Sequence, residues 1–173
     1  MLPGLTLVLG GAASGKTAFA EKLVTGTGRT PVYMATAQAH DDEMRNRIER
    51  HKELRGAGWR TIEEPLDLGR TLATVSGDSA ILVDCATMWL SNQLLAESDP
   101  AEAEAALMAG LALCAAPVVI VSNEVGLSVV PENALARRFR QAQGELNQKL
   151  AAKAGLVVSV TAGLPQALKG DMP

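Results

Sequence analysis

The sequence predicts an α/β fold, a mostly parallel sheet flanked by helices, and two observations carry that prediction. Five short β-rich apolar runs alternate with stretches of helical pattern, the arrangement of strands laid side by side with helices packed over them. The first run leads into Gly10-Gly11-Ala12-Ala13-Ser14-Gly15-Lys16-Thr17, a G-x-x-x-x-G-K-T string standing between a strand and a helix.

Taken in order, the strands are Leu5–Leu9, Pro31–Thr36, Ala80–Asp84, Val118–Ser122 and Leu156–Thr161. A helical pattern from Ala18 to Leu23 follows the glycine-rich string. A second helix is predicted from Asp41 to about Arg55: Asp41, Asp42 and Glu43 favour its positive end, and Gly56 to Gly58 stop it. The Ala- and Glu-rich stretch from Glu97 to Leu113 reads as a solvated helix around the turn signal Ser98-Asp99-Pro100. The last long helix has one apolar stripe, Leu135, Phe139, Ala142, Leu146 and Leu150, with Pro131 and Glu132 placed in its first turn and Gly155 at its end.

With 173 residues and no internal repeat or composition break, one domain over residues 1–173 is expected, large enough to bury a core. Aromatics are few, so that core must be Leu, Val, Ile and Ala. The formal net charge of −3 implies no broad basic surface, and nucleic acid is not the expected partner. Cys85 and Cys114 lie in or beside apolar segments without metal-ligand spacing and read as free thiols. No apolar run is long enough to span a bilayer and no signal peptide is evident, so a cytoplasmic protein is expected.

The Gly10–Thr17 string has a definite chemistry. Its glycines let backbone N–H groups close around a polyphosphate, and the helix that follows adds its positive end. Lys16 reaches the β- and γ-phosphates, and Thr17 offers a hydroxyl to Mg²⁺. Asp84 closes the run Ile81-Leu82-Val83 and reads as the carboxylate that holds the same ion, against the plainer reading of a strand-end aspartate capping the next helix. In such sheets ligands sit at the carboxyl ends of the strands, and Thr36, Asp84 and Asn123-Glu124 all fall there. Asn123-Glu124 reads equally as a substrate contact or as turn chemistry before Gly126.

His51 shares a helix face with Met44 and Ile48 and stands among Arg45, Arg47, Arg50, Lys52 and Arg55. An apolar setting favours a packed histidine, and a run of cations is usually a solvated face. The same cations clamp phosphates and disfavour imidazolium, leaving a neutral ring able to attack phosphorus. His40, in a loop, reads as a surface residue.

Strings along nearly the whole chain resemble the bifunctional adenosylcobinamide kinase / adenosylcobinamide-phosphate guanylyltransferase family of cobalamin biosynthesis. They are Gly10–Thr17, Ala35-Thr36-Ala37, Asp42-Glu43-Met44, Arg47-Ile48-Glu49-Arg50-His51-Lys52 and Gly58-Trp59-Arg60-Thr61 with Glu63. They continue through Val83-Asp84-Cys85 with Trp89, Ser91-Asn92, Ser122-Asn123-Glu124-Val125-Gly126, Val130-Pro131-Glu132-Asn133, Leu135-Ala136-Arg137 and Asn147-Gln148. The resemblance implies a P-loop NTPase with a RecA-like sheet that assembles as a homotrimer. It implies transfer of the γ-phosphate of ATP or GTP to the aminopropanol hydroxyl of adenosylcobinamide, with Mg²⁺ at Thr17 and Asp84. It implies a second step in which His51 takes GMP from GTP and hands it to adenosylcobinamide phosphate. It places further nucleotide contacts at Ala35, Thr36, Ala37, Lys52, Glu53, Leu54, Arg55, Glu63 and Asp84, with Glu63 suited to the N1 and N2 donors of guanine. The chain departs from the family at Ala13, where Arg is frequent, and at Gln141 and Gly155, where Asp is frequent.

Two rival readings predict different behaviour. Another small-molecule kinase with a structural His51 would transfer phosphate without forming a covalent nucleotide. A nucleotide-dependent switch would bind tightly and hydrolyse slowly, yet the N-K-x-D string of many switch GTPases is absent, Asn123 being followed by Glu124-Val125-Gly126.

Overall fold

A computed structural model describes residues 1–38, 58–96 and 98–173. The predicted helix at Asp41–Arg55, with His51, Lys52, Glu53, Leu54 and Arg55, lies outside the described residues, as do His40 and Glu97. The described chain runs β1 (Leu5–Gly10), α1 (Lys16–Thr25), β2 (Thr30–Ala35), β3 (Arg60–Glu63), α2 (Leu68–Leu72), β4 (Ser79–Asp84) and α3 (Ala86–Leu95). It continues with α4 (Pro100–Leu113), β5 (Val118–Asn123), α5 (Ala134–Lys153), β6 (Leu156–Thr161) and β7 (Leu164–Lys169).

All seven strands form one sheet in the order β3-β2-β4-β5-β1-β6-β7. β1 to β6 are parallel, and β7 alone runs antiparallel against β6. Each predicted strand is present to within one residue at either end, because a strand buried on both faces is a nearly unbroken apolar run. Alternation divides the core between the two faces. Leu7, Ile81, Val83 and Ile120 pack with Trp89, Leu90, Leu107, Leu146 and Leu150, under α2 to α5. Val8, Leu82, Val119, Val121 and Val158 face the other way, onto Ala20 and Val24 of α1. The sheet is therefore closed by several helices on one side and by α1 on the other.

Helix ends differ from the sequence expectation where a better cap exists. α5 starts at Ala134 rather than around Pro131, because the Asn133 side-chain oxygen accepts from the N–H groups of Leu135 (2.8 Å) and Ala136 (3.2 Å). Its stripe is buried only from the middle onward: Leu146 and Leu150 are fully covered, whereas Leu135 is 56% exposed. α4 begins at Pro100, with the Asp99 carboxylate accepting from Ala101 N–H at 2.8 Å, and it is largely solvated apart from Leu107 and Gly110. At the end of α5, a Cβ on Gly155 would lie 2.7 Å from the Cβ of Pro3, so the hydrogen at this position lets the N-terminal segment pack close. Among the described residues no helix is long and apolar enough to cross a membrane.

Candidate active site at the strand ends

The phosphate loop is built as its sequence requires. β1 ends at Gly10, Ala13 and Gly15 take positive φ (54° and 91°), and α1 begins at Lys16. α1 has no side-chain cap and no acidic residue in its first turn, so its N–H groups and dipole face the loop without an internal counter-charge. The Lys16 ammonium donates to the Gly11 carbonyl at 2.8 Å, which folds the side chain over the loop. Thr17 is half-buried in the first turn of α1.

The turn between β6 and β7 braces this loop from the side. Ala162 and Gly163 both have positive φ (51° and 79°), a two-residue hairpin turn of the primed kind. Gly163 N–H donates to the Ser14 carbonyl at 2.8 Å, and a Cβ on Gly15 would come within 3.2 Å of Gly163 Cα. A Cβ on Gly10 would meet Val160 O at 2.7 Å and overlap the Ser14 hydroxyl. Glycine is thus needed at position 10 for close approach and at position 15 for its backbone angle as well.

Asp84 ends β4, two strands from β1 with β5 between them. Its Oδ2 accepts from the Tyr33 hydroxyl at 2.8 Å, which fixes the carboxylate, and among the described residues no hydrogen bond engages Oδ1. Tyr33 in turn packs edge-on against Trp59, ring centroids 6.2 Å apart. The Asp84–Cys85 peptide is cis. Thr36 anchors the end of β2 to this point: its hydroxyl donates to Cys85 O and accepts from Cys85 N–H, both at 2.7 Å. Asn92 of α3 donates to Thr36 O (2.7 Å) and Pro65 O (3.1 Å). Thr36 is wholly buried and its polar groups are engaged within the fold, so it sets the positions of its neighbours Ala35 and Ala37. Glu63 ends β3, paired in register with Ala35, on the outermost strand.

Of the residues predicted from sequence, the structure therefore gathers Gly10–Thr17 and Asp84 at one end of the sheet. Ala35, Thr36, Ala37 and Glu63 follow along that end toward β3. Sequence reasoning missed the residues that hold them. Tyr33, the one tyrosine of the chain, is tied to Asp84 across 51 positions. Ser122, Gln143 and Asn147 form a buried network: Gln143 donates to Ser122 Oγ (2.9 Å) and Asn147 Oδ1 (3.0 Å), and Ser122 donates to Asn147 Oδ1 (2.6 Å). Ser122 and Asn147 stand in strings shared with the family, but their pairing has no sequence signal beyond polarity on a face otherwise apolar, Gln143 and Asn147 lying one helical turn apart.

Charge reaches the floor of the site as well. Burial, and after it the Asp84 carboxylate, push the Cys85 thiol up to about 11, while N–H groups of Met88 and Thr87 and the Lys16 ammonium pull the other way. At pH 8 a thiol with a value near 11 is thiolate in roughly one molecule in a thousand. Iodoacetamide at pH 8 is expected to modify half-buried Cys114 and to leave Cys85 unlabelled, with Cys85 labelling rising only as the pH approaches 11, read by peptide mass spectrometry. The sign for stability follows: the buried neutral thiol favours the fold below its ordinary value of 9.0, and that contribution is lost as pH climbs toward about 11.

A phosphate loop at a strand–helix junction, with an acidic strand end two strands away, defines a P-loop NTPase of RecA-like architecture. The chain belongs to the cobinamide kinase / cobinamide phosphate guanyltransferase family, whose model matches residues 6–168. It is thus an enzyme of a family that works in adenosylcobalamin biosynthesis. It is 44% identical to the bifunctional adenosylcobalamin biosynthesis protein CobP of Pseudomonas aeruginosa, over 95% of this chain and 97% of that one. It is 43% identical to the corresponding protein CobU of Salmonella typhimurium, over 95% and 99%. In fold it is similar to flagellar accessory protein FlaH from Methanocaldococcus jannaschii, with a TM-score of 0.56 at 14% identity, covering 99% of this chain and 81% of that chain.

Proposed function

We propose that this chain catalyses both family reactions through one nucleotide site along the carboxyl ends of β1, β5, β4, β2 and β3. In the first, the aminopropanol hydroxyl of adenosylcobinamide attacks the γ-phosphate of ATP or GTP. In the second, GTP loses pyrophosphate as His51 takes GMP, and adenosylcobinamide phosphate removes it to give adenosyl-GDP-cobinamide. The observation that carries the reading is the phosphate loop beside a carboxylate already held by Tyr33, at the same edge of one sheet.

The roles divide by chemistry. Backbone N–H groups of Gly11 to Lys16 cradle the phosphates, and Lys16 turns from the Gly11 carbonyl to the β- and γ-oxygens. The Thr17 hydroxyl and the Asp84 carboxylate are hard oxygen donors that fit Mg²⁺, an ion that supplies charge neutralisation at the bridging phosphates when bound. Two protein oxygens are enough, because Mg²⁺ keeps waters and phosphate oxygens for the rest. Ala35, Thr36 and Ala37 line the nucleoside side, and Glu63 accepts from guanine N1 and N2. Lys52, Glu53, Leu54 and Arg55, next to His51 in the sequence, are assigned to the same nucleotide.

A homotrimer fits the apolar surface near this end of the sheet: Leu127 and Val129 are 91% and 90% exposed on the β5–α5 connection, an area that a neighbouring subunit would cover. The net charge of −3 supports a small-molecule substrate over nucleic acid. A cytoplasmic setting, where ATP and GTP are supplied, completes the reading. The test is intact-protein mass spectrometry after incubation with GTP and Mg²⁺, beside a His51→Ala control. An acid-labile added mass of one GMP, absent in the variant, is expected. No adduct with GTP still bound would leave only a kinase and return His51 to a structural role.

A further inference from the structure

Asp84 is gripped from the side of β2. Ala35 of β2 is its partner in register, and Tyr33, two residues earlier on the same strand, is paired with Leu82. Tyr33 and Leu82 pack with Ala20 and Val24 of α1. By alternation Asp84 shares their face, the face of the helix into which the phosphate loop runs. The Asp84 carboxylate and the Lys16 ammonium both act on the Cys85 thiol, so carboxylate and loop meet around one residue.

The Tyr33 ring has little freedom. It is buried, and Trp59 stands edge-on against it with the ring planes 85° apart. Trp59 itself packs against the same apolar cluster, just ahead of β3. The hydroxyl is thereby delivered to one carboxylate oxygen, Oδ2, at 2.8 Å. Thr36 holds the next peptide through Cys85 N–H and Cys85 O, both at 2.7 Å. Main chain and Oδ2 are both held from β2, and among the described residues no hydrogen bond engages Oδ1. A carboxylate that serves the fold alone usually has both oxygens partnered; here a single oxygen remains for a ligand.

We infer that Tyr33 is a positioning residue that sets the metal preference of the site: by occupying Oδ2 it restricts Asp84 to one-oxygen ligation, which suits Mg²⁺ and handicaps Ca²⁺. The inference rests on the metal role of Asp84 proposed above. Its physical basis is the difference between the two ions. Mg²⁺ is small, demands near-ideal octahedral geometry and takes single carboxylate oxygens beside water and phosphate oxygens. Ca²⁺ is larger, takes about six to eight oxygens in flexible geometry, and gains from a carboxylate that can turn and give both. A hydroxyl committed to Oδ2 opposes that turn, and a ring held by Trp59 cannot follow it. Partners that orient a metal-binding side chain in this way are worth about 10–100-fold in metal affinity.

Tyr33→Phe keeps the ring against Trp59 and removes only the hydroxyl. GDP affinity is measured by calorimetry on the unaltered protein and on the variant, in EDTA, in Mg²⁺ and in Ca²⁺. In EDTA the two are expected to match, with the same thermal unfolding midpoint. The gain in affinity that Mg²⁺ brings is expected to fall about 10-fold in the variant, while the gain from Ca²⁺ holds or rises. A merely structural tyrosine would not move the ratio of the two gains. Equal falls in both gains, no change in either, or weaker binding in EDTA with a lowered midpoint would each overturn the inference. Asp84→Ala is the reference. It is expected to lose the Mg²⁺ gain, and adding Tyr33→Phe to it should cost nothing further, because Tyr33 acts through that carboxylate. A further loss in the double variant would overturn the inference. If Asp84→Ala kept its Mg²⁺ gain, the metal assignment of Asp84 would itself fall. If Asp84→Ala lost the gain and Tyr33→Phe did not, the inference alone would fall.

Discussion

Lys16→Ala is expected to lower phosphoryl transfer by about 10²–10³-fold, the effect of deleting one preorganised charge at the developing transition state. The side chain is 9% exposed and its ammonium donates to a loop carbonyl at 2.8 Å. The loop is held by main-chain bonds from Glu124 to Gly10 and from Gly163 to Ser14, so the unfolding midpoint should move little. The informative part is the second activity. If one phosphate loop anchors GTP for both steps, formation of the GMP adduct falls together with the kinase rate. Gly10 lies on β1, and Ala35 and Glu63 lie on β2 and β3, with β5 and β4 between. At about 4.8 Å per strand, β1 and β3 are roughly 19 Å apart. That span sets the alternative sharply: an adduct that forms at the unaltered rate in Lys16→Ala would mean a separate nucleotide position on the β2–β3 side, and the single-site proposal would fall. Intact mass and a radiolabelled γ-phosphate assay on the same preparation read both steps.

The local half of this site was legible in the sequence, and the long-range half was not. Gly10–Thr17 announces itself because every residue that builds the loop is contiguous, and Asp84 because it ends an apolar run. Tyr33 with Asp84, Thr36 with Cys85, and Gln143 with Ser122 are 51, 49 and 21 positions apart, so no spacing rule connects them. The strands divide along the same line. The five buried ones appear as apolar runs, whereas β3, Arg60-Thr61-Ile62-Glu63, is an edge strand with three exposed residues. β7 carries Pro165 and is almost wholly exposed, tolerable only because it is the other edge. Its turn, Ala162-Gly163, lacks the Asn or Asp that usually marks such a hairpin. The consequence is functional, since that unmarked turn supplies the N–H that braces Ser14 in the phosphate loop. Family resemblance pointed to Ala35, Thr36, Ala37 and Glu63 by another route, through strings whose order along the chain carries information that single motifs lack.

Gly110→Ala is expected to cost about 1–3 kcal/mol of stability or somewhat more, although alanine is the better helix former. Two effects of opposite sign compete at this position. In a helix interior, replacing glycine with alanine is worth about 1 kcal/mol in favour of the fold. Against that, a Cβ at Gly110 of α4 would overlap the Gly69 carbonyl and lie 2.5 Å from Gly69 Cα. The reciprocal Cβ at Gly69 would lie 2.6 Å from the Ala106 carbonyl carbon and 2.9 Å from Leu107 Cα. The obstacles are backbone atoms on both sides, so no rotamer change relieves them and the two helices must separate. Gly144 of α5 is the control, because a Cβ there meets nothing within 4 Å and only the favourable term remains. Gly144→Ala should therefore raise the urea midpoint while Gly110→Ala lowers it; if both rose, the α2–α4 contact would be looser than the structure has it. The contact also reaches the site. α2 follows the turn at Pro65-Leu66, whose carbonyls accept from Asn92, Trp89 and Gln93 of α3, and Asn92 also holds Thr36. Pushing α2 away from α4 strains that link, so nucleotide affinity on the Ala35–Ala37 side should weaken in Gly110→Ala and stay unchanged in Gly144→Ala.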